Sequence, residues 1–221
     1  MPYYHSSIKK QYLIICEGRD TEGFIIEYIN NPGLKDDLRF SNDLQTFNMG
    51  GINDLSRFLS TLKNMDGFED VKQILILRDA ETSVQNAVQS IKNALQANDL
   101  PVPDECNQWK SNEGCSIKTA FSLLPNCSKC PEAGALEDLC WNILKDKDAE
   151  EQKEDVQSFI SGIIEKYDSI GSHEHKSRIH TFFSINKNYV SLKIGEAAKA
   201  GAFDWNSEHL IPLKEVILNG F

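Results

Sequence analysis

The 221-residue chain has no run of about eighteen consecutive apolar residues, and its first ten residues lack the apolar stretch of a secretory signal. We therefore expect a soluble, cytoplasmic protein with no membrane contact. The sequence also has no internal repeat and no Gly-x-x-x-x-Gly-Lys-Ser/Thr motif, which excludes a P-loop ATPase within this chain. A chain of this length can bury the core of one large α/β domain, with or without a smaller helical extension.

Cysteine is present, but its pattern favours neither disulfides nor zinc. Six cysteines would be an even disulfide set in a small secreted domain, whereas in a chain of this size without an export signal we expect reduced thiols. Cys127 and Cys130 form one Cys-x-x-Cys pair, and zinc normally requires a second. Cys106 and Cys115 are not spaced as in a zinc ribbon or finger. A structural zinc site is therefore not expected.

Basic residues are outnumbered by acidic ones. The chain has 23 lysines and arginines against 33 aspartates and glutamates, a net charge of −10. Half of this excess lies in residues 146–168, where eight acidic and three basic side chains suggest a solvated helix. Acidity of this kind weakens nonspecific attraction to nucleic acid without excluding it, so nucleic acid stays a candidate partner.

Strand and helix patterns alternate over the first two-thirds of the chain, which favours an α/β fold with a parallel sheet of about four strands flanked by helices. Strands are predicted at residues 12–16, 45–49, 74–77 and 117–124. Beyond the fourth strand only helical patterns remain. We therefore expect an α/β core over residues 1–145 and a helical C-terminal extension over residues 146–221, packed on that core.

Helix starts can be predicted after the first and third strands. Asp20 or Thr21 is a suitable N-cap for the first helix, and Thr82 or Ser83 for the helix after the third strand. Both helices therefore begin directly beyond acidic strand ends.

Those two strand ends are the most informative feature of the sequence. Residues 12–20 and 73–81 each lead an apolar strand into carboxylates. If the two strands are neighbours in a parallel sheet, Glu17, Asp79 and Glu81 meet at its carboxyl edge, where open α/β sheets bind ligands. Clustered carboxylates repel one another unless a cation lies among them. A hard divalent ion, Mg²⁺ or Mn²⁺, is the expected occupant.

Each strand end also has a simpler interpretation. Residues 17–20, Glu-Gly-Arg-Asp, combine a carboxylate, a turn-forming glycine and a helix start that attracts phosphate, but Glu17 could merely end a strand while Asp20 caps a helix. Asp79 and Glu81 are two residues apart and would share one side of an extended backbone, yet short acidic turns are common. The occurrence of both at equivalent places in a strand-helix alternation favours the metal site.

These motifs resemble the Toprim domain shared by topoisomerases, bacterial primases and OLD-type nucleases. The resemblance rests on the turn at residues 17–20 and on the acidic pair of Asp79 and Glu81. Three later stretches, residues 131–139, 176–180 and 195–205, resemble a bacterial family of unknown function within the Toprim-like group. Together the matches span nearly the whole chain and imply a Toprim-like sheet.

The resemblance implies roles for particular residues. Glu17 would perform acid/base chemistry, and the pair of Asp79 and Glu81 would bind the ion, although the usual second member of that pair is aspartate. OLD-type nucleases add further acidic residues, which here implies metal ligation by Glu137 and Asp138. Alternatively, these two carboxylates only favour the positive end of a helix.

Two further residues complete the candidate site. Lys176 would neutralise a phosphate in the transition state, although a solvated lysine is the simpler interpretation. Asp20 is a further candidate metal ligand.

The resemblance implies a Mg²⁺- or Mn²⁺-dependent phosphoryl-transfer domain that cleaves phosphodiester bonds in nucleic acid. A nuclease of the OLD type would need its ATPase from a separate chain. The alternative is a noncatalytic Toprim-like protein that binds a metal or nucleotide and serves as a regulator or partner subunit. The acidic net charge and Glu81 favour this alternative.

Overall fold

A four-stranded parallel sheet forms the centre of the protein in a computed structural model that describes residues 7–38, 41–50, 55–145, 149–167 and 173–221. The strands are β1 (Tyr12–Cys16), β2 (Leu44–Asn48), β3 (Gln73–Asp79) and β4 (Lys118–Leu124). Their order in the sheet is β2-β1-β3-β4. The predicted α/β fold with a four-stranded parallel sheet is confirmed, and no predicted strand end is displaced by more than two residues.

Helices cover both faces of the sheet. They are α1 (Arg19–Asn30), α2 (Pro32–Lys35), α3 (Leu55–Lys63), α4 (Val84–Gln96), α5 (Leu136–Asn142), α6 (Ala149–Tyr167), α7 (Glu174–Ile185), α8 (Ile194–Lys199) and α9 (Ile211–Gly220). The acidic segment predicted over residues 146–168 corresponds to α6, and residues 146–148 and 168 lie outside the described part of the chain. No helix among the described residues combines the length and apolar character needed to span a membrane.

The two faces of the sheet bury different sets of helices. On β1, Leu13 and Ile15 point into an apolar cluster formed with α3 and α4, whereas Ile14 and Cys16 point into a larger cluster formed with α1 and helices α5 to α9. All five β1 residues are buried, which explains the nearly continuous apolar run in the sequence. The sheet is thus the middle of three layers.

The C-terminal helices pack directly on this core. The ring of Phe221 lies 5.8 Å from that of Tyr12, and the indole N–H of Trp109 donates to the carbonyl of Val216 in α9 at 3.1 Å. The boundary between core and extension at residue 145 stays a prediction.

Helix α1 begins earlier than expected. Its N-cap is Gly18, whose extended backbone leads directly from β1, so the prediction of Asp20 or Thr21 as the cap is wrong. No side chain forms a cap hydrogen bond at Gly18, and this helix start lies at the edge of the sheet. The prediction for α4 is confirmed for Ser83, whose hydroxyl accepts from the N–H of Asn86 at 3.3 Å.

Candidate metal centre

The centre starts from the register of β1 and β3. Cys16 pairs with Leu77, so the next residues on both strands reach the same edge of the sheet. The backbone N–H of Glu17 donates to the carbonyl of Leu77 at 3.1 Å, and the N–H of Asp79 donates to Glu17 Oε2 at 3.2 Å. The Glu17 carboxylate therefore bridges the two strand ends, and β1 and β3 are neighbours, which is the condition that the sequence prediction set for the meeting of these carboxylates.

Asp79 is held by the start of α5. Its Oδ1 accepts from the backbone N–H of Leu136 at 3.0 Å. Burial raises the pKa of Asp79 well above its usual range, and the nearby carboxylates of Glu17 and Glu137 raise it further. The site therefore stores electrostatic repulsion that a cation would relieve.

Glu81 lies near Glu17 and Asp79 at the edge of the sheet, but its backbone conformation differs from the one predicted. Strand β3 ends at Asp79, and Glu81 has a left-handed backbone with φ of 54°, so the expected extended geometry at this residue is wrong. An antiparallel bridge fixes the turn, because Glu81 and Gly134 exchange two backbone hydrogen bonds of 2.8 Å. A left-handed non-glycine residue is strained, and such strain is concentrated at functional sites.

Together, Glu17, Asp79 and Glu81 form one carboxylate cluster. Each offers one oxygen, and these three atoms lie within 4.8 Å of one another. Glu17 and Asp79 each use one oxygen to accept a backbone N–H, which leaves the second oxygen of each for an ion. Three carboxylate oxygens are a donor set suited to a hard divalent cation such as Mg²⁺ or Mn²⁺. The residues present therefore fit such an ion.

The protonation of Glu17 is set by opposing neighbours. Burial raises its pKa above the usual glutamate value. The Arg78 guanidinium, the N–H of Asp79 and the Lys176 ammonium oppose this effect, while Glu81 adds to it. The net result is a raised pKa, in the direction that suits a group exchanging protons near neutral pH.

A cleft of about 500 Å³ opens above the carboxylate cluster. The open N-terminus of α1 lines one part of it, and the exposed Lys176 of α7 lines another. Asp20 and Glu137 also line the cleft but lie outside the carboxylate cluster. A slightly larger cavity of about 590 Å³ between α3 and α4 is lined by residues without ionisable side chains, so it offers no comparable chemistry.

Asp138 is not brought into the carboxylate cluster. Its Oδ2 accepts from the backbone N–H of Ala135 at 3.0 Å, and its Oδ1 accepts from Arg178 Nη2 at 2.8 Å. Both oxygens are therefore committed to the start of α5 and to α7. Metal ligation by Asp138 stays a prediction, and the carboxylate cluster does not include this residue.

Arg78 is the residue that the sequence interpretation missed. It is only 2 % exposed, and its Nε lies 3.6 Å from Glu17 Oε2. Its position in the sequence was the one indication, because Arg78 directly precedes Asp79 at the end of β3. An arginine there lies next to the candidate site whether or not it is exposed.

The fold and the cluster define an α/β protein with a candidate divalent-cation centre at the carboxyl edge of its sheet. The chain belongs to the family described as "Protein of unknown function (DUF3226)", whose model matches residues 11–221. No match is found among curated proteins.

Two solved structures are similar to this chain. Both are of the C-terminal region of the Xanthomonas campestris pv. campestris OLD protein, one phased with mercury and one with platinum. Each has a TM-score of 0.46 and 11 % sequence identity, and each match covers 95 % of this chain. The matches cover 95 % and 93 % of the OLD chains, respectively.

Proposed function

We propose that this protein is a Toprim-like, divalent-metal-dependent phosphoryl-transfer protein that cleaves phosphodiester bonds in nucleic acid. The observation that carries the proposal is the convergence of oxygens from Glu17, Asp79 and Glu81 within 4.8 Å at the carboxyl edge of a parallel sheet. The sequence motifs that contain these three residues resemble those of Toprim domains, which supports the same chemistry.

Asp79 and Glu81 would hold the ion, and Glu17 would accept and return protons. A bound divalent cation supplies charge stabilisation to the phosphate and makes water a better nucleophile. Glu17 is suited to proton exchange because its pKa is raised and its Oε2 is fixed by the N–H of Asp79. Its orientation therefore does not depend on the ion.

The phosphate would be bound between α1 and Lys176. The N-terminus of α1 has no side-chain cap and opens into the cleft, so its N–H groups and helix dipole favour an anion there. Lys176 lines the same cleft and would stabilise negative charge as it develops on the phosphate oxygens. Glu137 and Asp20 would contribute through water or through their charge.

A noncatalytic role in metal or nucleotide binding is the second candidate. Among the residues that the structure describes, five carboxylates line the cleft, from Glu17, Asp20, Asp79, Glu81 and Glu137, against two basic side chains, Arg19 and Lys176. This balance favours a small ligand that arrives with its own cation over a long polyanion. A regulatory or partner subunit would use the site in this way.

A hydrolysis assay separates the two candidates. Wild-type protein would be incubated with single- and double-stranded DNA and RNA, with EDTA and with Mg²⁺ or Mn²⁺. We expect metal-dependent cleavage that is lost in Glu17→Gln and Asp79→Asn. Glu132→Gln is a matched control, because Glu132 is an exposed carboxylate near the site in sequence that does not line the cleft.

The outcomes are distinct. Cleavage by the wild type and by Glu132→Gln, but not by the two site variants, supports the nuclease. Equal cleavage by all four proteins indicates a contaminating enzyme and contradicts the assignment of the site. Metal binding without cleavage of any substrate favours the noncatalytic role.

A further inference from the structure

Arg78 is a buried cation next to the carboxylate cluster, and its hydrogen bonding is incomplete. Its side chain is only 2 % exposed, and among the described residues its Nε and Nη1 have no hydrogen-bond partner. Burying an arginine in this state is costly unless nearby negative charge compensates it. An electrostatic role at the edge of the sheet would explain why the cost is tolerated.

The compensating charges are those of the cluster. Glu17 is the ion-pair partner of Arg78, at 3.6 Å from Nε to Oε2. Burial lowers the pKa of Arg78, and Glu17, Glu81 and Asp79 act in the opposite direction without reversing the shift. Arg78 is therefore close enough to feel all three carboxylates while making a direct ion pair with one.

We propose that Arg78 is a built-in counter-ion of the carboxylate cluster and that the cluster therefore binds one divalent cation, not two. This inference rests on the proposed metal site and adds its stoichiometry. With all three carboxylates ionised, as a bound cation would favour, they and one guanidinium carry a net charge of −2, equal and opposite to that of one divalent cation. Arg78 occupies the electrostatic role that a second metal ion would otherwise have.

The number of available ligand atoms also supports a single bound ion. Two-metal sites hold ions about 3.5–4 Å apart and need enough ligands to surround both. Within the described part of the chain, Glu17, Asp79 and Glu81 are the one group of three or more potential ligands this close together. One oxygen of Glu17 and one of Asp79 already accept a backbone N–H, and both oxygens of Asp138 bind protein groups, so few lone pairs remain for a second ion. Water and phosphate oxygens would complete the coordination of one ion.

Mn²⁺ binding tests the proposal without any activity measurement. The electron paramagnetic resonance signal of free Mn²⁺ gives both the number of bound ions and their affinity. We expect one ion per wild-type chain. Arg78→Met removes the charge while filling similar space, so we expect about tenfold tighter binding of the first ion or the appearance of a second. Arg78→Lys keeps a positive charge and should resemble the wild type.

Each result decides something specific. Two ions of similar affinity on the wild type would overturn the proposal. So would an Arg78→Met protein that binds a single Mn²⁺ ion with unchanged or weaker affinity. If Arg78→Met does not fold, as judged by circular dichroism, one ion on both the wild type and Arg78→Lys supports the proposal and two ions on either overturns it. No bound ion at all would instead reject the proposed function. One bound ion without hydrolysis leaves the counter-ion role intact and rejects only the nuclease.

Discussion

Two carboxylate-arginine pairs in the structure differ in their bonding. Asp138 and Arg178 are joined by a 2.8 Å hydrogen bond, and the second oxygen of Asp138 binds the start of α5. Glu17 and Arg78 are 3.6 Å apart, and two nitrogens of the buried arginine lack hydrogen-bond partners among the described residues. In the first pair both carboxylate oxygens accept hydrogen bonds, although the buried Nε of Arg178 has no partner among the described residues. In the second pair the arginine makes no hydrogen bond to Glu17, so more of its bonding capacity is unused.

The difference separates a structural carboxylate from one prepared for a ligand. The ion pair of Asp138 links α5 to α7, and Arg178 also stacks over Trp141 with its guanidinium carbon 5.5 Å from the ring centroid. Glu17 instead lies beside Asp79 and Glu81. Burial raises the pKa of Glu17 and of Asp79, Glu81 adds to both shifts, and Glu17 adds to that of Asp79. Under the proposed function, the ion would bind where carboxylate oxygens are available and repel one another, and not at acidic residues that merely start a helix.

The largest expected effect is on metal affinity. Asp79→Asn removes a charged oxygen from the carboxylate cluster, and we expect Mn²⁺ affinity to fall by at least about 100-fold, since even indirect supporting residues cost 10- to 100-fold. Asp138→Asn is the matched control and should change affinity by less than about twofold. Isothermal titration calorimetry measures both. If the two variants lose affinity equally, the distinction between the pairs is wrong.

Gly134 lies between the two pairs, because it bridges to Glu81 and packs against Asp138. Its substitution has the second-largest expected effect. Its φ of 136° is unfavourable for other residues, and an added Cβ would lie 2.7 Å from Asp138 Oδ2 and 3.1 Å from Pro125 Cδ. We expect Gly134→Ala to lower the free energy of unfolding by about 2 kcal/mol. Urea denaturation measures the change.

Gly162 provides the control for that substitution. It lies in α6, and a Cβ there would meet no atom within 4 Å. Gly162→Ala should stabilise the protein by about 0.5–1 kcal/mol through helix propensity. A Gly134→Ala protein as stable as the wild type would show that the bridge to Glu81 tolerates a side chain.

The ion pair of Asp138 and Arg178 should contribute to stability and not to metal binding. Asp138→Ala removes a helix cap and the bond to Arg178, so we expect a loss of about 1.5 kcal/mol in the free energy of unfolding. A double-mutant cycle with Arg178→Met should give a coupling energy of about 1 kcal/mol. A coupling near zero would mean that this pair is no more structural than an exposed surface pair.

The smallest effect is a pH-dependent gain in stability when Asp79 loses its charge. Because its pKa is raised on folding, the folded state holds a proton more tightly than the unfolded state. Stability without metal therefore falls as pH rises above the ordinary aspartate value of 3.8. In EDTA at pH 7.5 we expect Asp79→Asn to raise the Tm by about 2–4 °C, which corresponds to about 1 kcal/mol.

Repeating that melting experiment at pH 3.5 supplies the control. The folded wild type is then protonated at Asp79 and the unfolded state mostly so, so the difference in Tm should shrink to a small fraction of its value at pH 7.5. An Asp79→Asn protein that melts at or below the wild-type temperature at pH 7.5 would show that the carboxylate is not destabilising.

Much of the fold could be predicted, because strands that are buried on both faces of a sheet have nearly continuous apolar sequences. The apolar run of β1 and that of β3 marked central strands, and their shared acidic endings placed Glu17 and Asp79 at one edge. These inferences needed only side-chain polarity and the geometry of a parallel sheet.

The remainder depends on contacts between distant residues. The role of Asp138 is decided by Arg178, forty residues later, and the position of Glu81 by a bridge to Gly134. The burial of Arg78 was also hidden, because an arginine near a strand end is normally exposed. The local sequence shows which residues are acidic. It does not show which carboxylate oxygens accept hydrogen bonds from distant residues in the folded protein.

Anomalous diffraction from crystals grown with Mn²⁺ tests the carboxylate cluster most directly. We expect one anomalous peak per chain, within about 2.0–2.6 Å of carboxylate oxygens of Asp79 and Glu81 and next to Glu17. A peak held by Asp138, or no peak at the cluster in saturating Mn²⁺, would contradict the assignment of Glu17, Asp79 and Glu81 as a metal centre.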